Sequence, residues 1–475
     1  MELWLIFGLI ALSTLISFLI KDIKTISCIN ISVSIINFIA CILLVIKVES
    51  FDTLFYLEKI LFLDSYSTVQ LFIISGVTLV SSIYSYKYIL NEVKHQIISI
   101  KKAKIFYILF NLFVFSMYLI SFANNVMIMW ISLEATTLAT AFLIGFNGDK
   151  LSLEAAWKYI ILCSVGITIG LVGIILLIYS TGSNVTMENL NWTYLSKHYS
   201  TFDITITKIA FTLIFVGIGT KAGFAPMHTW LSDGHSEAPS PISAMMSGIL
   251  LNLALYVVVR FYVIIKNIDN LQNFNKLFVI FGVLSLFISS FSILKQNNYK
   301  RLLAFSSVEN IGIISLGIGF GGYFGLFAAV LHSIIHAFGK TLLFLVAGNI
   351  LENYKTKRID KIHYLFKFMP INSAFLILGM LIITGAPPFA SFFSEYYILI
   401  SGIKSGHFIA TIIYALCLLI VFAGFLVAFM KMIYTKQNDV EVVKLEEDGN
   451  NIVPLIITLV FVVFVSAFLM DIYIT

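Results

Sequence analysis

Charge is scarce in this chain. Only 12% of the 475 residues are charged, 59% are hydrophobic, and the mean hydropathy is +0.98. A soluble globular protein needs roughly twice that charge on its surface, so this class is excluded. Cysteine is also rare. Cys28, Cys41, Cys163 and Cys417 are scattered, each falls in an apolar run, and no CxxC pair occurs. An iron–sulfur or zinc signature is therefore missing, and the four are expected to be small core residues. Long polar stretches are few; the longest, about 180–203 and 436–451, leave no soluble domain. The first apolar run starts almost at Met1, with no basic leader and no small-residue cleavage site, and reads as a retained helix. The net charge of +5 is spread between loops and gives no nucleic-acid signal.

What the chain has instead is a succession of apolar runs long enough to cross a hydrocarbon core as helix, about 20 residues each. Fourteen are expected, at about 2–20, 26–47, 66–88, 105–122, 124–145, 155–179, 204–222, 240–264, 274–293, 302–320, 323–350, 372–401, 408–431 and 452–474. They are continuously apolar rather than alternating, so they are helices and not barrel strands. With the N-terminus outside, nineteen Lys and Arg fall in inside loops and seven in outside loops or ends, leaving Lys158, Lys221, Arg260 and Lys340 within spans. That asymmetry predicts fourteen spans with both termini on the outer side. The stretch 48–63 (VESFDTLFYLEKILFL) mixes acidic and apolar residues and is expected to be an amphipathic element at the outer surface. The resulting expectation is an all-α polytopic membrane protein. Helices one to three occupy 1–104, one five-helix unit 105–265, a second five-helix unit 266–435, and a loop with the last helix 436–475.

Ionisable groups inside such runs are costly, roughly 2.5–3.5 kcal/mol on insertion scales, and mark paths for protons or small cations. Glu134, in WISLEATTL, shares a helix face with Trp130. It either pairs structurally to hold two helices or tunes a lysine. Lys221 lies just before a Gly-Phe-Ala-Pro break and is far from an interface. Lys158 is nearer the surface; it either snorkels or competes for the carboxylate of Glu134. His332, His336 and Lys340 recur every four residues and form one stripe, a candidate proton relay. HxxxH is also metal-ligand spacing, but the Glu of HExxH is absent and no further ligand cluster accompanies it, so no metal is expected. Glu309 lies in the tenth run at roughly the place Glu134 holds in the fifth. Asp233, His235 and Glu237 follow the seventh run as either an access funnel or a solvated turn.

Two runs are interrupted. GIGTKAGFAPMHTW (217–230) contains Pro226 and His228, and TGAPPFASFFSEYY (384–397) contains Pro387, Pro388 and Glu395. Each places Gly and Pro at membrane depth beside a charge, which suggests inverted repeats with a site at the midplane. Proline frees the carbonyl four residues back and bends the axis.

The stretch GTKAGFAPMHTWLSDGHSEAPSPISAMMSGIL (219–250) resembles the antiporter-like subunits shared by respiratory complex I, Mrp-type cation/proton antiporters and group 4 membrane-bound hydrogenases. WISLEATTL, EAAWKYIILCSVG (154–166), RLLAFSSVENIGII (301–314) and LHSIIHAFGKTLLFLVAGNI (331–350) are most similar to the hydrogenase-4/formate hydrogenlyase branch, membrane component F. The resemblance covers about 105–435. It implies a fourteen-helix subunit with two inverted five-helix units. Glu134 would be the span-five glutamate, Lys221 the central lysine and Lys158 its modulator. His332, His336 and Lys340 would form the central relay, and Glu395 the terminal carboxylate, a position that is Lys in some relatives. Two departures concern the relay: Ser247 and Asn252 occupy the span-eight region where relatives often carry Lys or His, and Ser306 stands where the hydrogenase branch tends to have His. No long lateral helix like that of the distal complex I subunit is expected.

The function so implied is movement of H⁺ or Na⁺ in a prokaryotic cell membrane, as one subunit of a redox-driven complex. No haem, flavin or cluster site is visible, so no cofactor is expected in this chain. Peripheral redox subunits and further membrane subunits would be its partners. The alternative is an Mrp-type cation/proton antiporter subunit without redox partners. A scaffold with incidental charges is disfavoured by the number of ionisable groups inside spans.

Overall fold

Backbone amides in hydrocarbon find no water, so each apolar run closes its own hydrogen bonds as a helix. A computed structural model describes residues 2–182, 186–268, 271–435 and 451–474. The stretch 436–450, with Lys436 and Lys444, lies outside the described residues. In order along the chain are α1 (Glu2–Leu19), α2 (Ile23–Phe51), β1 (Leu54–Tyr56), β2 (Leu61–Leu63), α3 (Ser65–Lys94), α4 (Ile100–Phe122) and α5 (Val126–Ile144). Then follow α6 (Lys150–Tyr179), the single turn α7 (Trp192–Leu195), α8 (Ile204–Ala222), α9 (Thr229–Glu237), α10 (Ser240–Met245), a π turn (Met246–Leu250) and α11 (Leu251–Ile265). The remainder is α12 (Asn275–Leu294), α13 (Tyr299–Phe320), α14 (Gly322–Tyr354), the short α15 (Leu365–Phe368), α16 (Pro370–Ile383), α17 (Ala390–Lys404), α18 (Phe408–Tyr434) and α19 (Val453–Ile474).

Among the described residues, twelve helices are long and apolar enough to cross a membrane, and two shorter apolar ones are Pro370–Ile383 and Val453–Phe468. The polytopic all-helical architecture expected from the sequence is thus present. Both interruptions occur where the Gly-Pro motifs lie: α8 stops at Gly223, which takes φ +85°, and α16 stops before Gly385, at φ +68°. Helix starts follow side-chain capping: Asp64 accepts from the Ser67 amide at 2.9 Å, Asn125 from Met127 at 3.0 Å and Asn298 from Lys300 at 3.0 Å. The segment 48–63 differs from expectation. It contributes the end of α2 and the antiparallel β1–β2 hairpin, register Leu54 opposite Leu63, rather than one amphipathic element. Leu57, Glu58 and Lys59 all take positive φ, which turns the chain back on itself and breaks any helix.

The chain divides into two units, Met1–Gly223 with Ile249–Phe274, and Phe224–Gly248 with Asn275–Thr475. In the first, α6 and α8 make the closest helix pair. Gly166, Gly170 and Gly173 of α6 meet Gly217, Ile218 and Ile214 of α8, an approach that leaves no room for a side chain at Gly217. The outer face of α6 is apolar and exposed at Trp157, Ile161, Val165 and Val172, as a lipid-facing surface is. In the second unit α14 is the axial helix, packed by α10, α13, α16, α17 and α19. Gly248 lies directly over the Ala337 carbonyl of α14, and Gly339 over Ile382 and Ile383.

Candidate functional site

In each unit a deeply buried lysine is bound through its amine to a turn of a neighbouring helix that also bears a glutamate. In the first unit Lys221, in the last turn of α8, has no exposed surface. Its Nζ donates to the Leu133 carbonyl at 2.8 Å and to Thr137 Oγ1 at 2.5 Å, both on α5. Glu134 sits on that same turn, near enough for its charge to act on Lys221. Its Oε1 accepts from Ser164 Oγ of α6 at 2.8 Å, while its Oε2 is buried without a hydrogen bond. The α5–α6 spacing is fixed by Trp130 Nε1 donating to the Ile167 carbonyl at 2.9 Å and by Thr140 meeting Tyr159 at 2.6 Å.

In the second unit Lys340 of α14 is equally buried. Its Nζ donates to the Leu303 carbonyl at 2.8 Å and to Ser306 Oγ, both on α13. Glu309, 1% exposed on the same helix, is the acidic group whose charge acts on Lys340. One oxygen of Glu309 accepts from Asn310 Nδ2 at 2.6 Å and the other is buried without a partner. A line of polar groups continues from there. Asn310 Oδ1 meets His332 Nε2 at 3.0 Å, and His332 Nδ1 meets Ser394 Oγ at 2.8 Å, which precedes Glu395. The amide oxygen of Asn310 accepts from His332 Nε2, and the Ser394 hydroxyl that lies against Nδ1 donates to the Ser391 carbonyl at 2.8 Å. The Glu395 carboxylate lies against Gly385 in the broken turn after α16, where any Cβ would collide with it. His336 has two buried ring nitrogens without hydrogen bonds and sits within electrostatic reach of Lys340, His332 and His235. Buried polar atoms left this way cost about 1–3 kcal/mol each, a penalty retained where the group serves a purpose.

The breaks themselves are held open by hydroxyls. The Ala225 amide, in the first break, donates to Ser285 Oγ at 3.0 Å, and the Ala390 amide, after the second, donates to Ser466 Oγ at 3.0 Å. Ser247, in the π turn, meets Ser307 at 2.7 Å. A π turn inserts one residue into a helix and often marks a functional site.

A family model described as "NADH:quinone oxidoreductase/Mrp antiporter, TM" matches residues 123–420, which include every one of these groups except Ser466. This chain belongs to that antiporter family. It is 31% identical over 405 residues to the hydrogenase-4 component F homolog of Methylacidiphilum infernorum, covering 85% of this chain and 83% of that one. It is 30% identical over 347 residues to hydrogenase-4 component B of Escherichia coli, covering 70% of this chain and half of that one. Among solved structures, the archaeal membrane-bound sulfane sulfur reductase aligns at TM-score 0.87 and 21% identity over 99% of this chain and 95% of its counterpart. The Mrp complex from Dietzia aligns at TM-score 0.81 and 19% identity, over 94% and 82%. At those identities the structural likeness establishes the fold of an antiporter-family subunit.

Not every group expected at the site of this antiporter-family subunit lies there. Lys158 is half-exposed, and its amine pairs with Glu154 one turn back at 2.8 Å. Asp233, His235 and Glu237 are not a solvated turn. They lie on α9, where Asp233 pairs with Arg301, Glu237 pairs with Lys357 at 2.7 Å, and His235 is fully buried. His228, 8% exposed, stands edge-on to Phe305. Asn252 is buried in α11 of the first unit. Lys300 is buried in the first turn of α13. Arg260 was counted within a span but given no partner. It forms a two-pronged pair with Asp64, at 2.6 and 2.5 Å, inside a box of Phe62, Tyr66, Trp192 and Tyr256. An acid at the start of one apolar run and an arginine near the end of another was the available signal for this pair.

Proposed function

We propose that this antiporter-family subunit moves ions across a prokaryotic cell membrane as part of a redox-driven complex of the hydrogenase-4 or NADH:quinone oxidoreductase kind. The observation that carries this reading is the recurrence of one motif in both units. A lysine without exposed surface is bound to a carbonyl and a hydroxyl of the helix that bears a glutamate: Lys221 with the half-buried Glu134, and Lys340 with the buried Glu309. A membrane-buried amine that can take or lose a proton, beside a carboxylate that can do the same, changes the charge its neighbours feel. The relay is assigned to Glu134, Lys158, Lys221, His332, His336, Lys340 and Glu395, with Glu309 as the partner of Lys340 and Lys158 acting from the rim. The interrupted helices at Pro226 and at Pro387–Pro388 loosen backbone beside the charges and admit water. Five spans in each of 105–265 and 266–435 give the repeats opposite topologies, and the basic-residue asymmetry puts both termini outside. H⁺ is the ion that Glu, Lys and His side chains carry most directly.

Partners are tested by purifying the tagged chain from native membranes in mild detergent. Co-purifying iron–sulfur and hydrogenase-like or complex I-like proteins are expected. Recovery of small hydrophobic subunits alone, with no redox protein, would overturn the redox coupling and leave an Mrp-type cation/proton antiporter.

A further inference from the structure

The polar groups of the second unit do not end at Lys340. Lys300, 1% exposed in the first turn of α13, donates from Nζ to the Ala238 carbonyl at 2.9 Å. That carbonyl is available because the helix breaks at Pro239: the Ile242 and Ser243 amides both turn to the Pro239 carbonyl. One turn back on α9, His235 has no exposed surface, and neither of its ring nitrogens makes a hydrogen bond. Its ring stacks on Phe344 of α14 with centroids 5.0 Å apart. Lys340 and Lys300 are near enough for their charges to act on it, and His336 senses it in turn. Beyond Lys300 lie the ion pairs Glu237–Lys357 and Asp233–Arg301 and the Asn298–Ser236 bond, with side chains 14–45% exposed in the pairs. This end of the unit also carries Lys355, Arg358, Lys361 and Lys367.

We infer that Glu237, Lys300 and His235 form a proton access path from the basic-residue-rich aqueous face to Lys340. It rests on the ion-translocation reading above. His235 is the relay group. A proton taken at one ring nitrogen is matched by release of the proton on the other toward Lys340 or His336, so the ring ends neutral in its other tautomer and resets by rotation. Lys300 is a positioning residue: it holds the α9–α10 elbow through Ala238 and keeps the His235 ring facing α14. The Glu237–Lys357 pair is the mouth.

The test uses the intact complex in sealed vesicles, with Cys28, Cys41 and Cys417 replaced by serine. His235→Cys, with Cys163 retained as an internal reference, is treated with a water-soluble thiol reagent. The expected result is reaction at position 235 roughly tenfold faster than at Cys163, since thiol reactivity follows access. His235→Phe is expected to slow proton movement by about a hundredfold, the usual loss when a positioned proton carrier is removed. Lys300→Arg should restore most of the rate that Lys300→Leu loses. Reaction at position 235 no faster than at Cys163 overturns the path. So does wild-type proton movement in His235→Phe when Lys221→Ala abolishes it. If Lys221→Ala also moves protons normally, the transport reading itself has failed, and the thiol result still decides whether the path is open to water.

Discussion

Replacing Gly217 by alanine tests how the first unit places its lysine. A methyl group there would stand 2.6 Å from the Gly166 carbonyl oxygen and 2.8 Å from the Gly170 Cα, and closer still to the Gly170 amide nitrogen. All three are backbone atoms of α6, so no side chain can rotate out of the way. Ordinary contact begins at 3.4 Å, which leaves α8 to retreat by at least about 0.8 Å. Gly217 and Lys221 are four residues apart, on one face and about 6 Å along the axis. To the extent that this retreat points away from α5, it stretches the 2.8 Å Lys221–Leu133 bond toward or past the limit of hydrogen-bond range. The strain itself is worth about 1–3 kcal/mol. Gly8→Ala is the control, because nothing lies within 4 Å of its new methyl group. The assay is paired: thermal stability of the detergent-solubilised complex, and ion movement in vesicles at a fixed redox turnover. Gly217→Ala should lower both. Stability and transport equal to those of Gly8→Ala would refute the view that backbone contact between α6 and α8 sets the position of Lys221.

Three further outcomes are expected. Asp64→Asn leaves the 3%-exposed Arg260 guanidinium without its counterion and should destabilise the first unit by about 3–5 kcal/mol, read as a lower melting temperature, while Asp64→Asn with Arg260→Met should recover part of it. Burial pushes the Asp64 carboxyl up, but the hydrogen bonds and charge of Arg260 outweigh this and hold it below its ordinary value of 3.8. Its stabilisation is therefore complete above that value and is lost as pH falls through the lower folded-state value, so fluorescence of Trp192, stacked over Arg260, should change on acidification below that ordinary value and stay constant above it. Gly385→Ala combines positive-φ strain of about 1–2 kcal/mol with displacement of the Glu395 carboxylate, and should abolish ion movement in an assembled complex. Gly182→Ala, at φ +63° with open space around it, carries the strain alone and should leave transport intact.

The spans were legible because burial of backbone in hydrocarbon demands continuous apolar runs, and the two breaks were legible because Gly and Pro cannot continue a helix. Glu134, Lys221, Lys340, His332 and Glu395 stood out because a charge or imidazole in such a run is costly. Orientation around the helix axis was less legible. Lys158 and Lys221 look alike in a hydropathy window, yet one faces outward beside Glu154 and the other is sealed under α5. Lys300 was hidden by its polar neighbours Asn297 and Asn298, which read as a loop although α13 starts at Tyr299. The π turn at Met246–Leu250 has no proline or paired glycine to announce it. The Arg260–Asp64 pair spans 196 residues and becomes visible only when α3 and α11 are placed together.

The central claim is that the buried lysine–glutamate pairs move ions in step with redox turnover. The most direct measurement is on the purified complex in sealed vesicles carrying a pH indicator and, separately, a Na⁺ indicator, with electron transfer followed in the same sample. The account predicts ion movement that scales with turnover in the native complex, and loss of that movement in Lys221→Ala with assembly preserved. Ion movement in Lys221→Ala at the native ratio to turnover would contradict it.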